Sequence, residues 1–149
     1  MDFDLIVLPV SDVDRARAFY EALGFRLDVD YTHTDDWRAV HFTPPGSDCS
    51  ILFGNGMTDD APGSLRDLHL VVPDIEAARA RLLGRGIEVG EVFHDAAGLR
   101  VHDHRAGEVV HHGTDRVRTD RPDGGRASYG CYANFSDPDG NSWVLEEVR

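Results

Sequence analysis

The chain repeats itself. The run Leu8-Pro9-Val10-Ser11-Asp12-Val13-Asp14 lies over Leu70-Val71-Val72-Pro73-Asp74-Ile75-Glu76, with Asp12 and Asp74 standing 62 positions apart. The same offset pairs Ala16 with Ala78, Arg17 with Arg79, Ala18 with Ala80 and Gly24 with Gly86. In each copy a β-rich run leads to an aspartate suited to a helix N-cap. Apolar residues then follow at helical spacing, and glycine stops the helix. They are Val13, Ala16, Phe19, Tyr20 and Leu23 in the first copy, and Ile75, Ala78, Leu82 and Leu83 in the second, with Gly84 and Gly86 behind them. Strand patterns occupy 4–10, 25–31, 37–42 and 50–53, then 68–72, 87–93, 129–135 and 143–148. Each half therefore reads β-α-β-β-β. Neither half buries its sheet alone, so the expected fold is α+β: two βαβββ modules in tandem, forming a curved mixed sheet around a cleft. The modules span 1–54 and 64–149, and the Gly- and Pro-punctuated stretch 55–63 links them.

Composition narrows the partners. A formal charge of −12 argues against a nucleic-acid backbone or an anionic membrane. No apolar run is long enough to span a bilayer, and no basic region precedes an apolar one at the start, so we expect a soluble, cytoplasmic protein. All 15 basic residues are arginine, which excludes lysine Schiff-base chemistry. Cys49 and Cys131 are far apart and form no CxxC pair, so both read as buried thiols.

The second module closes on Ser136-Asp137-Pro138-Asp139-Gly140-Asn141, a tight turn between two strands. Three features together resemble the vicinal oxygen chelate superfamily. They are the paired βαβββ pattern, a helix of the form Val-x-Asp-(Val/Ile)-(Asp/Glu)-x-Ala running into Phe19-Tyr20-x-x-Leu23-Gly24-Phe25, and the closing Asp-Pro-Asp-Gly-Asn. That superfamily includes glyoxalase I, extradiol dioxygenases, fosfomycin-modifying enzymes and bleomycin-resistance binders. The resemblance covers nearly the whole chain outside the loop after Phe93, and it implies a fold more firmly than an activity. It also implies a small-molecule ligand and a homodimer.

In metal-using relatives, ligands stand seven residues before each capping aspartate and three after the asparagine of the closing turn. Carried over, those positions are Leu5, Asp67 and Val144, with Ser50 or Leu52 as the fourth-strand equivalent. Leucine and valine bind no cation, so the resemblance implies a broken metal set and no cofactor. A displaced divalent-metal site using His69 and Glu146 is the alternative.

Strand alternation separates the two faces. It directs Leu5, Val7, Leu52, Val71 and Val144 to the cleft as an apolar lining, with Trp37, His41, Tyr132 and Asn134 as further candidate ligand contacts. It directs Asp67, His69 and Glu146 to the same side as candidate catalytic residues, a carboxylate holding an imidazole in the tautomer that accepts a proton. The opposing readings are a wall histidine, a solvated Asp67 and a surface Glu146. Two functions remain: metal-independent acid–base isomerase, lyase or cyclase chemistry, or sequestration of a drug or metabolite without chemistry. The loop 95–127 lacks apolar periodicity and is rich in His and Arg, and we expect a lid or cleft rim there. A metal cluster of His94, His102, His104, His111 and His112 has nothing in the sequence to fix it in space.

Overall fold

The computed structural model describes residues 1–95, 102–105, 108–111, 118–119 and 131–147. They fall into two compact units: Met1–Leu65 with Ser136–Asn141, and Arg66–Phe135 with Ser142–Arg149.

The first unit is one helix on a four-stranded sheet. Strands β1 (Leu5–Val7), β2 (Arg26–Thr34), β3 (Trp37–Thr43) and β4 (Ser50–Asn55) are ordered β1-β4-β3-β2, with α1 (Val13–Leu23) following β1. Strand β1 runs parallel to β4, and β3 is antiparallel to both neighbours. The helix begins where Asp12 accepts a hydrogen bond from the Arg15 backbone N–H and ends at Gly24, whose φ of 97° favours glycine. Tyr20 carries the packing. Its ring lies 5.6–6.4 Å from those of Phe53, Phe25 and Phe42, so Phe42 and Phe53 define the helix side of the sheet. Val40, Phe42, Ile51 and Phe53 are accordingly sealed from solvent.

The closing turn is built into this unit. Asp137 is buried and accepts hydrogen bonds from the Tyr20 hydroxyl, the Asn141 and Asp139 backbone N–H groups and the Asn141 side chain, all at 2.8–3.0 Å. Asn141 also donates to the Pro9 carbonyl and accepts from Leu65 N–H.

The second unit repeats the plan. Strand β5 (Leu68–Val71) leads to α2 (Ile75–Gly84), and β6 (Phe93–Asp95), β10 (Cys131–Ser136) and β11 (Ser142–Glu147) complete the module. The sheet order is β5-β11-β10-β6-β9, where β9 is Arg118–Thr119, and β5 runs parallel to β11. Its first four strands match β1-β4-β3-β2 one for one, so tandem α+β modules are what the chain forms. Asp74 caps α2 by accepting from Ala77 N–H.

Two expectations need correction. The stretch 87–92 is not a strand, although Ile87 and Val89 are buried; ladder geometry starts only at Phe93. Within 95–127, expected as a loop, the described residues include a two-stranded ribbon of β7 (His102–Arg105) and β8 (Glu108–His111), and β9 pairs with β6. The expected lid role and the side chains of His94, His102, His104, His111 and His112 lie outside the described residues. Among the described residues, no helix is long and apolar enough to cross a membrane. Cys49 and Cys131 are free thiols, the first half-buried and the second buried.

Candidate functional site

In the second unit, parallel pairing sets the geometry. Register places Val144 opposite His69 and Glu146 opposite Val71, so these four share one face. The next residue, Glu147, points the other way and accepts a hydrogen bond from Ile75 N–H at 2.9 Å, at the first turn of α2. The His69 face is therefore the one turned away from the helix. On it, His69 Nδ1 stands 2.8 Å from Glu146 Oε2; the His69 side chain is 27% exposed and that of Glu146 8%. Val144 packs with Phe93 and Tyr132 in a closed apolar cluster beside this pair. Asn134, two residues along from Tyr132, is half-buried with its Oδ1 shut off from water.

Asp67, the other candidate carboxylate, stands just before β5. It sits at φ 55°, its N–H donates to Ser142 Oγ at 2.8 Å, and its Oδ1 lies 3.4 Å from the same hydroxyl. The carboxylate that meets the imidazole is Glu146. A carboxylate accepting from Nδ1–H fixes the ring's tautomer and makes it a better base.

In the first unit, the face opposite α1 carries cross-strand rows. One runs Val7, Leu52, His41, Val29; the next runs Gly54, Ala39, Tyr31. Leu5 lies beside Ser50, which hydrogen-bonds Thr43 at 2.8 Å, and Thr43 in turn donates to Asp28. That bond and the Arg26 guanidinium beside it hold the Asp28 carboxyl below its usual range. At the far end Trp37, Tyr31 and His33 group together with ring centroids 6.0–6.4 Å apart. Leu5, Val7, Leu52, His41 and Trp37 thus share one face of one sheet. Sequence reasoning passed over Tyr31, His33 and Ala39, although the alternation Val29-Tyr31-His33 carried the signal.

Cavities of about 250 Å³ and about 640 Å³ lie away from these rows, one beside Ile75, Val92 and Cys131 and the other beside Phe3, Asp48 and Cys49. Among the described residues, no three His, Cys, Asp or Glu side chains gather as a metal-binding group. The family's metal positions fit a cation poorly. Leu5 offers no donor, and Val144 is fully buried among aromatic rings.

The sequence profile of the Glyoxalase/Bleomycin resistance protein/Dioxygenase superfamily matches residues 2–145. The chain belongs to that superfamily. Its structure is similar to that of TnmS3, an antibiotic binding protein from Streptomyces sp. CB03234, with 28% identity, a TM-score of 0.65, and 100% of this chain and 97% of that one covered. A glyoxalase/bleomycin resistance protein from the same Streptomyces strain is 29% identical, with a TM-score of 0.61 and coverage of 97% and 98%. A superfamily member from Sphaerobacter thermophilus DSM 20745 shares the fold at 22% identity, a TM-score of 0.60 and coverage of 99% and 97%. No curated protein sequence matches the chain.

Proposed function

We propose that this protein binds a small organic molecule of the antibiotic kind and holds it without chemical turnover. The observation that carries the reading is the face of the first sheet opposite α1. There Val29, Tyr31 and Trp37 stand 44%, 54% and 39% exposed, on rigid strands, beside the aliphatic row of Val7 and Leu52. A contiguous aromatic and apolar face on a sheet is suited to cover a ligand of similar character. The likeness to an antibiotic binding protein over the full chain supports it. Trp37 is exposed while Trp143 is buried, so the part of the tryptophan emission that a Trp37→Phe variant lacks reports on this face. A panel of polycyclic and peptide antibiotics, bleomycin among them, should contain members that quench Trp37 saturably. Those members should be recovered unchanged by mass spectrometry. Absence of any saturable binder, or conversion of a bound compound by catalytic amounts of protein, would overturn the reading.

A second reading, acid–base catalysis, is favoured by the His69–Glu146 pair. It requires a ligand that is consumed, and a conversion that His69→Gln abolishes while binding persists.

We further propose that the protein works without a resident divalent metal, because the inherited ligand positions hold Leu5 and Val144. Elemental analysis of untagged protein should find well under one metal per chain. Near-stoichiometric metal that disappears with His69→Ala or Glu146→Ala would establish a displaced site instead. Pairing into a homodimer belongs to the same reading: β2 is a nine-residue strand at the edge of its sheet, and such edges are commonly covered. Sedimentation should return twice the chain mass; a monomer mass at working concentration would count against it.

A further inference from the structure

Strand β2 ends its sheet on the side away from β1, and no described strand pairs with its outer edge. Its pairing with β3 is interrupted at Asp28 and again at His33, so its side chains divide unevenly between the two faces. Arg26, Val29, Tyr31 and Thr34 stand opposite Thr43, His41, Ala39 and Trp37, on the face away from α1. Asp28 joins them, since it accepts from the Thr43 hydroxyl, and so does His33, whose ring stacks with that of Tyr31. Leu27, Asp30 and Thr32 stand opposite Phe42, Val40 and Arg38, on the helix side.

A strand added to this edge must place each side chain on the same face as the one it opposes. A second copy of β2, laid antiparallel about a two-fold axis, meets that condition with the axis at Tyr31. Val29 then opposes the partner's His33, Asp30 opposes the partner's Thr32, and Asp28 opposes the partner's Thr34. Each of these pairs shares a face. With the axis at Asp30, Asp28 would oppose a Thr32 that points the other way. With the axis at Thr32, Asp30 would oppose a Thr34 that points the other way.

The same register settles the charges. Acidic residues on an edge strand deter pairing. Here Asp28 is held in its own chain by Arg26 and Thr43, and Asp30 by Arg38 and Arg17, and neither opposes its own copy. Arg26, its side chain 74% exposed, comes opposite the partner's Asp36, in the exposed turn that joins β2 to β3. The axis makes this pair twice. Val29 and Tyr31, 44% and 54% exposed, gain the cross-strand neighbours that an edge position denies them.

We propose that two copies of this chain join through β2, antiparallel, with Tyr31 on the two-fold axis and each Arg26 on the partner's Asp36. The inference rests on the homodimer reading above and deepens it by naming the surface, the register and the charge pair. Pairing covers the outer flanks of Val29 and Tyr31 and leaves the sheet face above them open. Interface and ligand surface therefore do not compete.

Cysteine cross-linking of the full chain reads the register without any ligand. Directly opposed residues of an antiparallel pair have Cα atoms about 4.5–5.5 Å apart, within disulfide reach. Tyr31→Cys should form a covalent dimer under mild oxidation. Thr32→Cys, displaced along the strand from its own copy, should not. Wild type, which carries Cys49 and Cys131, sets the baseline. Sedimentation equilibrium reads the charges: Arg26→Glu and Asp36→Arg should each weaken the dimer about ten-fold, because the axis doubles each repulsion, and the two combined should restore it. Thermal melts show that each variant is folded. A wild-type monomer at every concentration would overturn both this proposal and the homodimer reading. A dimer unmoved by either charge reversal, or one in which Thr32→Cys links as readily as Tyr31→Cys, would overturn this proposal alone. Failure of the reversed pair to restore the dimer would overturn the contact between Arg26 and the partner's Asp36.

Discussion

Asp30 shows how much a single carboxylate on an edge strand governs. It receives Arg38 through both Nε and Nη2, at 2.9 and 2.8 Å, and Arg17 at 2.6 Å, while Arg38 reaches on to Asp14 of α1. The network ties helix to sheet on the side opposite the candidate ligand face. The Arg38 hydrogen bonds, followed by the charges of Arg38 and Arg17, hold the Asp30 carboxyl below its usual range against the cost of its burial. A carboxyl depressed in the folded state stabilises above its unfolded pKa of about 3.9, and that stability drains away as pH falls through the folded value. Asp30→Asn should therefore cost about 2 kcal/mol at neutral pH, and the deficit against wild type should shrink in acid melts below about pH 4. A deficit constant with pH would mean the loss is one of packing. Gly63 is a second such position. Its φ is 75°, and a Cβ would meet the Asp139 carbonyl oxygen at 1.9 Å, so Gly63→Ala should lower the melting temperature by several degrees. The caps Asp12 and Asp74 were legible in the sequence because a cap acts over three residues. The Tyr20–Asp137 bond, across 117 residues, was not.

Strand β11 carries two adjacent glutamates with separate tasks. Glu146 meets His69 on one face, and Glu147 satisfies the first turn of α2 on the other. Alternation alone predicted that neighbours diverge, but not that the second would find a helix end. Glu147→Ala should cost about 1 kcal/mol and reduce helical circular dichroism, whereas Glu146→Ala should leave α2 intact and move the His69 imidazole resonances by NMR. Equal effects of both on the helix would contradict the division. The stretch 87–92 misled for a related reason: Ile87 and Val89 alternate as strand residues do, yet burial of alternate side chains does not require a ladder. Gly90 N–H donates to the Asn134 carbonyl, while Ile87 N–H turns back to Leu82 and the Gly90 carbonyl accepts from Arg79, so the stretch is tied down without a ladder. The backbone conformation of Asp67 was not legible in the sequence, because φ 55° at a non-glycine residue is set by tertiary contacts rather than by local preference.

For the molecule as a whole, the internal repeat was the most informative signal. It indicated two units of one plan, and the identical orders β1-β4-β3-β2 and β5-β11-β10-β6, each with a parallel end pair, are that plan realised twice. The strands β7, β8 and β9 were hidden because two to four residues are too few to display a period.

The closing turn has a consequence for how the protein is made. Residues 136–141 complete the first unit: Asn141 ties Pro9 and Leu65, and Asp137 meets the buried Tyr20 hydroxyl. A ribosome that has released residues 1–65 has therefore not yet delivered the pieces that finish them. The amino-terminal half must wait, unfinished, through the translation of the entire second sheet up to its last hairpin. Nascent chains stalled before residue 136 should remain open to protease within α1, and those stalled far enough past residue 141 to clear the exit tunnel should become resistant.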